Sequence, residues 1–357
     1  FKARGITPYV GTGSLLGDGR VQVDGVEGTR ELQAQHILLA TGSAPAELPD
    51  LPFDGRRIIS STEALTLERV PDRMVVIGAG AIGLEMGSVW SRLGAEVLVV
   101  EFMEHILPGM DTEMAGQMQR LLKRQGMKFR LQTGAKGFTV EKKAVQLQLE
   151  SNSNVDTVEC DVVLVAVGRR PFTKGLGLEK AGVQFDERGR VQVDAQWRTT
   201  AEGIWAVGDL IAGPMLAHKA EAEGVAAVER MAGKAGLVNA DAIPGVVYTH
   251  PELASVGLTE EAARAADYEV AVGKYQFRAN GRAHAMGEID GLVKIVANAQ
   301  TDRLLGLHIL GAQASSLIAE GVLALEFSAS VEDIARTVHA HPALSEVIKE
   351  AAWSLAE

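Results

Sequence analysis

Residues 75–101, VVIGAGAIGLEMGSVWSRLGAEVLVVE, constrain the fold of this chain more tightly than any other stretch. Residues 74–77 form a short apolar run of strand length. Gly78-Ala79-Gly80-Ala81-Ile82-Gly83 follows at once and fits G-x-G-x-x-G. Ile82, Met86, Val89, Trp90 and Leu93 then recur at helical spacing, and residues 97–100 form a second apolar run that ends on Glu101. Alone, the glycine pattern is a weak signal. With a strand before it, a helix after it and an acid closing the second strand, it reads as a complete βαβ dinucleotide-binding unit.

Each glycine has its own task. Gly78 permits the tight turn, Gly80 lets the backbone approach a pyrophosphate, and Gly83 lets helix and strand pack closely. The pyrophosphate sits on the helix N-terminus, where free N–H groups and the helix dipole favour an anion. Glu101 stands 18 residues past Gly83, where a carboxylate accepts from a ribose 2′-OH. A 2′-phosphate would meet that charge, and no Arg or Lys follows within five residues, so the stretch predicts NAD over NADP.

The chain has 357 residues, enough for two or three domains. Hydrophobic residues make up 46%, ample for a buried core. The 39 glycines exceed the usual share of about 7%, as tight nucleotide-binding turns require. A formal net charge of −11 gives no nucleic-acid or anionic-membrane footprint, and no apolar run approaches the ~18 residues that span a bilayer. Cys160 is the single cysteine. It sits in the apolar run 158–167, which points to a buried, inert thiol and excludes an internal disulfide in these residues.

In chain order, residues 7–16, 20–23 and 29–32 predict an antiparallel meander. A buried strand over 36–40 runs into Thr41-Gly42-Ser43, a turn of small donors. Residues 46–72 are Pro-rich, with a short helix from 61 or 62 to 67 and Thr62 as a fair N-cap. Met114, Met118, Leu121 and Leu122 mark an amphipathic helix that ends near Gly126. Strands follow at 129–132, 138–140 and 145–149, with 150–156 as a polar hairpin loop.

A third buried strand at 162–167 leads to Gly168-Arg169-Arg170-Pro171, whose arginines could face phosphate or solvent. Residues 203–207 form a short strand closing on Gly208-Asp209, where the acid could accept from a sugar or ribityl hydroxyl or cap a turn. A small-residue helix spans 220–233. From 246 the pattern changes: strands at 246–248, 268–272, 292–297 and 304–310, with helices at 260–266, 315–327 and 331–338, make an α+β domain. Pro342 suits the first turn of a last helix, which would put Glu346 one turn in.

His341 is the histidine suited to acid/base work near neutral pH, with Glu346 as a carboxylate to fix its tautomer. His339, two residues earlier, invites a metal reading, but no third ligand follows at a sensible spacing, and no metal is expected.

On these motifs together the chain resembles the dihydrolipoamide dehydrogenases, within the pyridine nucleotide–disulfide oxidoreductases. The resemblance rests on Ala40-Thr41-Gly42-Ser43, the stretch from Gly78 to Glu85, Val100-Glu101-Phe102 with Ile106-Leu107-Pro108, Val167-Gly168-Arg169-Arg170-Pro171 and Val207-Gly208-Asp209. It continues through Met215-Leu216-Ala217-His218-Lys219-Ala220-Glu221, Tyr248-Thr249-His250-Pro251-Glu252 and His339-Ala340-His341-Pro342. It runs almost end to end, and the order and spacing of its parts are highly specific.

The resemblance implies an α/β protein with two Rossmann-like nucleotide-binding domains, the FAD one incomplete, plus a C-terminal α+β dimerisation domain. Residues 1–72 would be the partial FAD-binding domain, 73–195 the NAD-binding domain, 196–240 a return to the FAD-binding domain, and 241–357 the dimerisation domain. Gly11, Thr41, Gly42, Ser43, Asp209 and Met215, Leu216, Ala217 and His218 would contact FAD. Gly78, Ala79, Gly80, Ala81, Ile82, Gly83, Glu85, Glu101, Ala135 and Gly168 would contact NAD, with Glu85 near the nicotinamide.

His341, held by Glu346, would be the proton acceptor for the other subunit of a homodimer. The implied reaction is oxidation of dihydrolipoamide, carried by the lipoyl domain of a 2-oxo acid dehydrogenase complex. Electrons would pass through a cysteine pair and FAD to NAD⁺, in a cytoplasm or a mitochondrial matrix. Two departures stand out. The family's first FAD βαβ and its redox cysteines are expected before Phe1, so residues 1–357 alone are not expected to turn over. Ala343 also stands where the family commonly has Thr. Glu101 and the His341-Pro342 ending argue against a flavin transhydrogenase and a glutathione reductase. Mercuric reductase and a non-catalytic NAD-binding, dimerising scaffold stay open.

Overall fold

The computed structural model describes residues 1–357 apart from Lys142, Lys143, Ser153, Ala356 and Glu357. The chain divides into two compact units. One is built from 1–44 and 169–238, the other from 45–168 and 239–357. This grouping differs from the expected boundaries at 72 and 195, and the strand pairing gives the reason. Ile58–Ile59 pairs in parallel with Val163 and Leu164, which ties residues 45–72 to the sheet that follows them.

In the first unit, Thr12–Gly17, Arg20–Gly25 and Gly28–Gln33 form the antiparallel meander that the glycine turns predict. Ile37–Leu39 pairs in parallel with Ile204–Ala206. The core packs Leu15, Leu39, Leu178, Val191, Ile204 and Leu210 together. The helix Ala217–Met231 starts earlier than the expected residue 220.

In the second unit a five-stranded sheet runs Ile58–Ile59, Val162–Val165, Arg73–Ile77, Glu96–Val100, Lys128–Arg130, all parallel. The central strand, Arg73–Ile77, is almost wholly buried, as a parallel strand covered on both faces must be. Met114, Met118 and Leu122 of the helix Thr112–Arg124 point into the core beneath it. Gly126, at φ 105°, ends that helix in the left-handed conformation that glycine adopts freely.

Several local expectations are corrected. Ser60, not Thr62, caps the helix Ser61–Ala64, with Glu63 completing a capping box. The polar stretch 150–156 is mostly strand: Ala144–Ser151 pairs with Asn154–Cys160 in full register, and only its turn lies between them, Ser153 falling outside the described residues. The apolar run 158–167 is therefore two strands broken at Asp161.

The C-terminal part carries an antiparallel sheet in the order Gly245–Val247, Glu252–Gly257, Leu304–Gly311, Leu292–Asn298, Val270–Gln276. Glu252–Gly257 was not expected as a strand, yet it pairs with Leu304–Gly311 along its whole length. The helices Ala314–Glu326, Val331–Arg336 and Glu346–Trp353 pack on this sheet through Ile318, Ile334, Val347 and Ile348. The last helix begins at Glu346, so Pro342 lies outside it, after a cis His341–Pro342 peptide bond.

The C-terminal sheet meets the parallel-sheet domain at a buried charge cluster. Lys294, 1% exposed, reaches Asp111 at 2.8 Å, Glu260 at 2.9 Å and Glu113 at 3.2 Å. Asp111 is the N-cap of Thr112–Arg124 and accepts from the Met114 N–H. His308 lies across the strand pair from Lys294, fully buried. Its Nε2 meets the Leu258 carbonyl at 3.1 Å, and its Nδ1 has no partner among the described residues.

Candidate functional site

The dinucleotide-binding turn has the geometry that its glycines predict. Gly78 sits at φ 103°, a conformation costly for any other residue, and a side-chain carbon there would lie 2.4 Å from the Ala166 carbonyl oxygen. At Gly83 that atom would stand 2.0 Å from the Gly78 carbonyl oxygen. Gly80 faces open space and is the N-cap of the helix Ala81–Arg92, with no side chain capping the first turn. The first-turn N–H groups at Ala81, Ile82 and Gly83 therefore lack a side-chain acceptor, which suits a pyrophosphate.

Glu101 is buried, and both of its oxygens are engaged: Oε2 accepts from the Ala79 N–H at 2.7 Å and Oε1 from the Met103 N–H at 2.8 Å. The carboxylate thus ties the end of the second strand to the glycine turn. Each oxygen retains a further lone pair with which to accept from a ribose hydroxyl.

Glu85, one turn into the helix, is half-buried and accepts from the Tyr248 N–H at 2.8 Å. Burial pushes its carboxyl above the usual range, and the Tyr248 bond opposes that only in part. Gly168 follows the buried strand Val162–Val165 at φ 119°, and its carbonyl accepts from the Ala46 N–H. Ala135 lies in Gly134–Glu141 beside an irregularity in the strand register. The residues present fit an NAD molecule at this turn.

In the other unit, Ser43 and Asp209 come together. The Ser43 hydroxyl donates to Asp209 Oδ2 at 2.5 Å and accepts from Arg169 Nε at 2.7 Å. A second Arg169 nitrogen donates to the Ser43 carbonyl. Arg169 therefore braces the Thr-Gly-Ser turn. The Thr41 hydroxyl donates to the Phe172 carbonyl at 2.8 Å, and the Gly42 carbonyl accepts from the Phe172 N–H. Gly11 lies against Asp24, where a side-chain carbon would meet the carbonyl oxygen at 2.5 Å.

Met215 and Leu216 lead into Ala217–Met231, with Ala217 and His218 in its first turn and no side-chain cap there. Lys219 and Glu223, both buried, hold the Gly208 peptide from either end: Glu223 accepts from its N–H at 2.8 Å and Lys219 donates to its carbonyl at 3.3 Å. An acid poised beside an uncapped helix start fits the hydroxyl-rich and phosphate parts of FAD. The sequence reading missed this clamp, although the i,i+4 spacing of Lys219 and Glu223 carries its signal.

His341 and Glu346 are joined at the end of the second unit. His341 Nδ1 meets Glu346 Oε1 at 2.8 Å, and Glu346 Oε2 accepts from the Ala343 N–H at 2.9 Å. The Ala343 and His341 bonds hold the Glu346 carboxyl below its usual range. An ionised Glu346 makes Nδ1 the donor, so Nε2 is the nitrogen left to take a proton. The His341 side chain is 79% exposed, so a reactant from outside can reach it. His339 turns the other way. Its side chain is 6% exposed, with Nε2 at 2.8 Å from Glu320 Oε1, a partner that no spacing rule links to it.

Residues 5–224 match the pyridine nucleotide-disulphide oxidoreductase family, and residues 243–352 match its dimerisation domain. The chain is 50% identical to the mitochondrial dihydrolipoyl dehydrogenase of Pisum sativum, over 99% of this chain and 71% of that enzyme. It is 49% identical to dihydrolipoyl dehydrogenase 3 of Pseudomonas aeruginosa, over 99% of this chain and 76% of that enzyme. Among solved structures, LpdA of Mycobacterium tuberculosis superposes with a TM-score of 0.91 at 29% identity, over 99% of this chain and 78% of that one.

Proposed function

The chain belongs to the pyridine nucleotide-disulphide oxidoreductases, and from that premise we propose that the protein, with FAD and a redox disulfide in place, oxidises dihydrolipoamide to lipoamide with NAD⁺ as acceptor; residues 1–357, with a single cysteine, do not do so alone. It is an oxidoreductase of a family that uses FAD and NAD. The reading extends to the E3 role in a 2-oxo acid dehydrogenase complex, in a cytoplasm or a mitochondrial matrix, with a lipoyl domain presenting the dithiol. Among the described residues no helix is long and apolar enough to cross a membrane.

The observation that carries the reading is the exposed His341 bonded through Nδ1 to Glu346. A dithiol reacts with a disulfide as its thiolate, so one thiol proton must leave. His341 Nε2 accepts that proton, and Glu346 fixes the tautomer and stabilises the imidazolium that forms. FAD, when bound, would supply the two-electron relay between the dithiol's electrons and NAD⁺. The balance is dithiol plus NAD⁺ to disulfide, NADH and one proton.

On this reading Gly78, Ala79, Gly80, Ala81, Ile82 and Gly83 cradle the NAD pyrophosphate, Glu101 takes the ribose, and Glu85, Ala135 and Gly168 line the rest of its path. Gly11, Thr41, Gly42, Ser43, Asp209 and the Met215 to His218 backbone hold FAD. His341 acts on the active site of the second subunit of a homodimer, which the dimerisation-domain match supports.

The test is His341→Gln in the full-length flavoprotein. Turnover of dihydrolipoamide should fall on the order of 10²–10⁴-fold, the scale of general acid/base help. Retention of full turnover removes His341 from the mechanism.

A further inference from the structure

We propose that His339 and Glu320 form a positioning pair that holds the His341 segment in register for proton transfer. The proposal rests on the reading of His341 as the base. Residues 337–345 join the helix Val331–Arg336 to Glu346–Trp353 and have no regular structure of their own.

Beyond His341 the segment is pinned firmly. Asn280 donates to the Ala343 carbonyl at 3.0 Å, and Glu346 accepts from the Ala343 N–H. Before His341 the holds are fewer. Thr337 bonds back to Asp333 within its own helix, and the Val338 side chain is solvent-exposed. His339 is the next residue, and it is inserted. Nδ1 lies 3.0 Å from the Thr337 carbonyl and Nε2 lies 2.8 Å from Glu320, on the helix Ala314–Glu326.

Both ring nitrogens thus face oxygen acceptors. The contact to the Glu320 carboxyl is short, and it ties the ring to a second helix. The pair staples the entry side of the segment to a helix packed on the C-terminal sheet. His339 also lies close enough to the catalytic pair to add, behind Ala343 and His341, to the groups that hold Glu346 below its usual range. A base must lie within hydrogen-bond reach of the proton it takes. An exposed His341 held on one side only would sample positions outside that reach.

The experiment compares two assays on the full-length, FAD-loaded protein. One follows dihydrolipoamide oxidation by NAD⁺. The other follows NADH-driven reduction of a quinone dye, which draws electrons at the flavin and needs no base for a dithiol. His339→Ala and Glu320→Ala should each lower dithiol kcat by about 10–100-fold, the cost of misplacing a reacting group by an ångström or so. Quinone reduction should stay near wild type, and the double variant should fall no further than either single one. His339→Gln, whose amide can still donate to Glu320, should recover part of the loss.

Dithiol turnover within about twofold of wild type in His339→Ala overturns the pair, on a scale well below that of misplacement. So does an equal loss in both assays, or single-variant losses that multiply in the double variant. His341→Gln separates the two claims. If it keeps full turnover, the base reading fails; if it loses turnover while His339→Ala does not, only the positioning pair fails.

Discussion

Cys160 closes the strand Asn154–Cys160 with no exposed surface, and burial pushes its thiol up to about 12. The thiolate is the reactive form, so Cys160 should stay unlabelled by a thiol reagent at pH 8 in the folded protein and become labelled once it is denatured. Stoichiometric labelling of Cys160 in the native state would contradict this. Glu85 gives a pH-dependent outcome. Its carboxyl is raised by burial, so the folded state prefers it protonated. Relative to an unperturbed carboxyl, that lowers stability once pH passes through the ordinary carboxylate range, and the deficit persists above the folded value. Glu85→Gln can still accept from Tyr248, so it should melt higher than wild type at pH 8, the gap closing as pH falls below that range. A gap that stays constant across pH assigns the effect to packing. At this scale the sequence exposed what lies close along the chain. His341 and Glu346 are five residues apart and do meet. Glu320 and His339 are nineteen apart, on separate elements, and no local pattern predicts their bond.

Elements defined by strong periodicity were legible. The helix Thr112–Arg124 follows from its Met and Leu spacing, and the βαβ unit from its glycines. Elements defined by their neighbours were not. Glu252–Gly257, with the sequence ELASVG, has a weak apolar pattern, yet a full ladder of pairing with Leu304–Gly311 holds it as a strand. The polar residues of Asn154–Cys160 read as loop because that strand lies at the edge of its small sheet with one face in solvent. Lys294 stands in the middle of an otherwise apolar, buried strand, and the structure explains it. Burial alone would pull its ammonium down, but the bonds from Asp111, Glu260 and Glu113 more than reverse this and hold it charged. Lys294→Met should therefore leave three carboxylates facing one another, with Asp111 fully buried. The expected loss is about 3–5 kcal/mol, typical for removing one partner of a buried pair. Denaturant unfolding checks it; a loss under about 1 kcal/mol, the range of exposed pairs, would show the cluster to be effectively solvated.

For the molecule as a whole, the fold class was legible because each nucleotide-binding motif announces a domain, whereas the exact boundaries were not, since the pairing of Ile58–Ile59 with Val163 and Leu164 is invisible in the sequence. Association is the property to test at this scale. The helix Ala314–Glu326 turns Ile318 into the core and leaves Leu323, and Phe327 just past its end, exposed at 58% and 79%. Within a region that matches a dimerisation domain, these are the side chains a second copy would cover. Sedimentation should give a dimer at micromolar concentration, and Leu323→Glu with Phe327→Glu should shift it toward monomer; a monomeric wild type would refute the assignment.

The split of each unit into two separate stretches also sets a clock. Among the described residues, Ile37–Leu39 pairs in parallel with Ile204–Ala206. On a ribosome adding about 5–20 residues per second, the first strand therefore waits on the order of ten seconds or more before the second is made. Through that interval this pairing is unmade, so the timing of synthesis bears on how the first unit closes.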